Sequence, residues 1–123
     1  MYKYVEMKDL IGKTFKEVRQ VEMDNDAIQF LGDEGDYALT HQQDCCESVY
    51  IEDINGDLND LVGTPILVAD DCSSGSLMGP GLRQDESHTW TFFRISTIKG
   101  TVVIRFYGSS NGYYSESASI YAL

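Results

Sequence analysis

The sequence predicts an α+β domain, mainly antiparallel β-sheet with one or two short helices. Three observations lead there. Short runs of alternating polarity recur between clusters of Gly, Asn and Asp. Two brief helical patterns each stop at a glycine. Two longer alternating runs, TWTFFRISTI (89–98) and TVVIRFYG (101–108), meet at Lys99-Gly100 as the arms of a hairpin.

In chain order, Met7–Ile11 reads as a single helical turn ending at Gly12, and TFKEVRQVEM (14–23) alternates as a strand. Asp24-Asn25-Asp26 has turn chemistry, so AIQFL (27–31) returns as a hairpin partner. GDEGD (32–36) turns again into YALTH (37–41). CESVYIEDI (46–54) is rich in β-branched and aromatic residues, and Asn55-Gly56 breaks it. Asp57 is placed to cap a short helix, LNDLV, that stops at Gly63 before the apolar strand PILVA (65–69). DLIGKT (9–14) and DLVGTP (60–65) echo one another as a repeated local solution. DDCSSGSLMGPGLRQDESH (70–88) reads as a long loop, SSNGYYSES (109–117) as a shorter one, and SASIYAL as the closing strand.

A chain of 123 residues is one domain, 1–123, with 42% hydrophobic and 24% charged residues. No apolar run approaches the roughly 18 residues that span a bilayer, and MYKYVEMKDL lacks the apolar core of a signal peptide. Three cysteines, two of them adjacent, do not make a disulfide framework, so a reducing cytoplasm is expected. The formal net charge is −11. Between Val21 and Leu82 stand 14 acidic residues and no Lys or Arg, which excludes the basic footprint that duplex DNA requires. That stretch is either a solvated surface or one that imitates nucleic acid toward a basic protein.

A turn at Lys99-Gly100 would set Arg94 opposite Arg105, Phe92 opposite Tyr107 and Ser96 opposite Val103. Phe93, Ile95, Thr97, Val102, Ile104 and Phe106 then form the core face. Trp90, Phe92, Arg94, Ser96, Arg105 and Tyr107 form the other. Like charges directly opposed are destabilising, so the arginine pair calls for an anion. Rings that stack on a base and guanidiniums that fork onto phosphate suit a nucleotide-like ligand. The alternative is pairing with the chain's own carboxylates. The expected ligand-binding set is Trp90, Phe92, Arg94, Arg105 and Tyr107, with Asn111, Tyr113 and Tyr114 of the following loop closing over it.

HQQDCCE (41–47) concentrates reactive side chains, but adjacent cysteines lack the Cys-x-x-Cys spacing of zinc sites, even with Cys72 and His88 as further candidates. His41 beside Cys45 suggests a thiol nucleophile, without a visible third member. DINGDLND (53–60) misplaces the glycine of a calcium loop. No metal, no cofactor and no catalytic residue is expected.

HQQDCCESVYIEDINGDLNDLVGTPILVA (41–69) and TWTFFRISTIKGTVVIRFYGSSNGYYSES (89–117) resemble a group of small, uncharacterised phage and prophage proteins, HQQDCCE and SNGYYSE being the specific part of the likeness. The resemblance implies a phage setting and a protein working in the host cytoplasm. The group carries no established activity, so it lends no functional residues. Two functions follow as expectations. One is a non-enzymatic binding protein that counters host defence by sequestering a small anionic, nucleotide-derived ligand. The other is an acidic inhibitor, a nucleic-acid mimic bound to a host nuclease or other defence protein. An enzyme ranks last, and a homo-oligomer stays open.

Overall fold

The computed structural model describes residues 3–22, 26–43, 46–74, 87–110 and 116–123. Among the described residues, nine strands form two antiparallel sheets. They are β1 (Lys3–Tyr4), β2 (Glu17–Glu22), β3 (Asp26–Leu31), β4 (Tyr37–Thr40), β5 (Ser48–Asn55), β6 (Val68–Ser74), β7 (Ser87–Thr97), β8 (Gly100–Ser110) and β9 (Ser119–Ala122). One sheet has the order β1-β9-β4-β3-β2 and the other β5-β8-β7-β6. Their inner faces share one apolar cluster, with Ile28, Phe30 and Leu39 from the first sheet and Phe93, Ile104 and Phe106 from the second. Phe93 and Phe106 meet edge to face at 5.7 Å. Fully burying side chains of this size contributes about 1.5–3 kcal/mol each.

The mainly antiparallel part of the expectation holds, while its α part is only loosely met. No α-helix occurs among the described residues, and both helical patterns are single 3-10 turns, Met7–Leu10 and Leu58–Leu61. Four residues are too few to repay α-helix nucleation. The turns act as plugs, burying Met7, Leu10 and Leu61 in the core. Asp57 does cap the second, accepting from the Asn59 N–H at 2.9 Å. The two echoing segments lie against each other. Gly12 N–H donates to Ile66 O at 2.8 Å, Gly63 N–H donates to Phe15 O at 2.9 Å, and Thr14 bridges Pro65.

Two further expectations shift. The strand expected at 65–69 begins later and runs through DDCSS, because β6 pairs with β7 from Val68↔Ser96 to Ser74↔Trp90. The hairpin turn is Ile98-Lys99, not Lys99-Gly100, with Thr97 opposite Gly100. Contacts remote in sequence hold this register. Thr97 Oγ1 donates to Asp60 O, and Lys99 Nζ donates to Val62 O at 2.6 Å. A Cβ on Gly100 would lie 2.7 Å from Asp60 Oδ2, a side-chain tip that can swing aside. The partners therefore slide by two residues, which preserves the side-chain period. Every face assignment in the hairpin survives, but the direct arginine opposition does not: Arg94 faces Val103 and Arg105 faces Phe92.

Candidate functional site

The outward face of the four-stranded sheet is ordered in rows. Tyr50 on β5 pairs with Tyr107 on β8, which pairs with Trp90 on β7. The Tyr107 ring lies 4.6 Å from Trp90 and 5.8 Å from Tyr50, centroid to centroid. His88 hydrogen-bonds the Tyr107 hydroxyl through Nδ1. The next row holds Arg105 and Phe92, and the row beyond holds Val103 and Arg94. The Arg105 guanidinium sits 5.2 Å over the Trp90 ring, a cation–π placement.

Each arginine has its own carboxylate, on opposite flanks. Arg94 donates to Asp70 Oδ2 of its cross-strand neighbour at 2.6 Å, with the two side chains 57% and 51% exposed. Arg105 donates to Glu52, which the irregularity between Ile51 and Asp53 in β5 brings into reach. The face thus combines aromatic area with two guanidiniums, each fastened from one side.

A second cluster, deeply buried, lies where the two motifs meet. His41 and Glu47, the ends of HQQDCCE, join through Nε2 and Oε2 at 2.7 Å, with side chains 4% and 0% exposed. The other ring nitrogen, Nδ1, lies 2.9 Å from the carbonyl of Ser117, just after SNGYYSE. That carbonyl only accepts, so Nδ1 donates to it, and Nε2 is turned to the Glu47 carboxyl. Gln43 donates to Glu47 O at 2.6 Å and to Oε1 at 3.2 Å. Glu116, also buried, accepts from Thr89 Oγ1 at 2.9 Å and Ser110 Oγ at 2.6 Å. A cavity of about 310 Å³ opens beside His41, Gln43, Glu47, Ser117 and Tyr121.

A family model described as a domain of unknown function, DUF7448, matches residues 8–120. The chain belongs to the DUF7448 family. No curated protein and no solved structure matches it. The matched span takes in both the aromatic face and the buried cluster of this DUF7448 domain.

The DUF7448 domain brings Trp90, Phe92, Arg94, Arg105 and Tyr107 onto one face. Asn111, Tyr113 and Tyr114 lie outside the described residues. Sequence reasoning missed Tyr50, Glu52, Asp70 and His88. The alternation of CESVYIEDI carried a signal for Tyr50 and Glu52, two residues apart on one side of a strand. Cys45, the possible thiol partner of His41, lies outside the described residues, and the two His41 ring nitrogens meet Glu47 and Ser117. The cysteines, read as no disulfide framework, still include one bonded residue. Cys46 is disulfide-bonded, and Cys72 is a free, exposed thiol opposite Phe92. An odd cysteine count leaves one thiol over without excluding a bridge. Among the described residues no three His, Cys, Asp or Glu side chains gather to hold a metal ion, and no helix is long and apolar enough to cross a membrane.

Proposed function

We propose that this DUF7448 protein is a non-catalytic binding protein whose recognition surface is the outward face of the four-stranded sheet. Its ligand is a small anionic molecule with a planar ring, of the nucleotide-derived kind. One observation carries the reading: Tyr50, Tyr107 and Trp90 stand in a row beside two guanidiniums on a single solvent-facing surface. Stacking on such rings contributes about 1–3 kcal/mol per base. The carboxylates that hold the arginines are partly exposed, and pairs of that kind contribute only about 0–1 kcal/mol, so a phosphate can displace them. The biological context is a phage protein in the host cytoplasm that removes a defence signal. The Cys46 disulfide is the feature that weighs against a reducing compartment.

Trp90 is the only tryptophan in the chain, so its fluorescence reports on this face directly. Titration with nucleotides should quench or shift that emission saturably, and Arg105→Ala should abolish the response. A flat titration across purine and pyrimidine nucleotides would remove the reading. The acidic-inhibitor reading rests on a separate observation, the stretch from Val21 to Leu82 without Lys or Arg. It requires a basic protein partner whose affinity falls steeply between low and high salt.

A further inference from the structure

We infer that the ligand of the aromatic face carries two phosphate groups, one held by Arg105 next to the ring row and the other by Arg94 one row farther on. The inference rests on the binding reading above and adds the number and order of anionic groups. Along β7 the sequence of features is Trp90, then Phe92 with Arg105 opposite, then Arg94. A strand rises about 3.3 Å per residue, so neighbouring rows stand roughly 7 Å apart. A ring seated at Tyr50, Tyr107 and Trp90 therefore meets one guanidinium at the first row and another at the second.

The two cations point to opposite flanks, Arg105 toward Glu52 on β5 and Arg94 toward Asp70 on β6. A single phosphate engages one of them and leaves the other with its carboxylate. Two phosphates engage both, each through the planar fork that matches phosphate oxygens. Two sources share that chemistry, a diphosphate chain and a dinucleotide with two phosphodiesters. The carboxylates are competitors for the same forks. Their removal should therefore tighten binding, an effect that a merely structural ion pair would not produce.

The test measures affinities of the full chain for adenosine monophosphate, adenosine diphosphate and a diadenylate with two phosphodiesters, by calorimetry and Trp90 fluorescence. Wild type should bind one of the two-phosphate probes about tenfold or more tighter than the monophosphate, and which one identifies the source. Arg94→Ala should erase that increment, bringing the two-phosphate probe down to the monophosphate's affinity, and Arg94→Lys should restore part of it. Asp70→Asn should tighten the two-phosphate probe several-fold. The inference is overturned if the monophosphate binds as tightly as both other probes. It is equally overturned if Arg94→Ala weakens all probes alike while Asp70→Asn changes none. If wild type binds no probe at all, the binding reading itself fails.

Discussion

The two polar regions of this domain use the same chemistry at opposite depths. His41–Glu47 is an imidazole–carboxyl contact with side chains 4% and 0% exposed, while Arg94–Asp70 is a guanidinium–carboxylate pair with side chains 57% and 51% exposed. Burial decides what each contact is for. In the interior, losing one partner strands a charge or a polar group where water cannot reach it. At the surface water replaces the lost partner, and the pair contributes little. The buried cluster is therefore scaffold, tying the segment 41–47 to the segment that follows SNGYYSE. The surface pairs are weak enough for the proposed ligand to displace them.

The largest effect should come from breaking the buried contact. Glu47→Ala leaves His41 and Gln43 without their shared carboxyl and should cost about 3–5 kcal/mol in urea or guanidinium unfolding. A loss below 1 kcal/mol would erase the contrast between the two regions. Next comes Gly108→Ala. A Cβ on Gly108 collides with the Glu116 backbone carbonyl, and backbone yields less readily than a side-chain tip. Overpacking of this kind costs about 1–3 kcal/mol, read in the same unfolding series. Glu116→Ala should sit at or below that range, about 1–2 kcal/mol, because the Thr89 and Ser110 hydroxyls it strands can rotate to other acceptors. If Glu116→Ala proved harsher than Glu47→Ala, the anchor of the cluster would lie at the second motif and not the first.

How much of this was legible depends on whether the cause was local. Which residues of the hairpin face the core followed from period-2 alternation, and a two-residue slip leaves that parity untouched. The slip itself was illegible, because Asp60 and Val62 fix it from 37 residues away. DDCSS has no alternation, so only its pairing with β7 makes it a strand. The partners of Arg94 and Arg105 were illegible for the same reason: Asp70 and Glu52 reach them through sheet order. HQQDCCE read as reactive because its types are reactive. Folding turns its two ends toward each other, which spends His41 on structure.

The smallest effect is also the one that most sharpens the contrast. A double-mutant cycle on Arg94→Ala and Asp70→Ala should give a coupling of about 0.2–1 kcal/mol, the range of exposed ion pairs. Raising the salt from low to molar concentration should shrink it further, since the Debye length falls from about 10 Å at 0.1 M to about 3 Å at 1 M. The same cycle on Arg105 and Glu52 should give somewhat more, because both side chains are less exposed. Arg105→Ala alone should cost about 0.5–1 kcal/mol beyond Arg94→Ala, because it also loses its place over the Trp90 ring. A salt-insensitive Arg94–Asp70 coupling above 2 kcal/mol would put that pair in the same class as His41–Glu47. The outward face would then be scaffold as well, and an anion would have no arginine to claim.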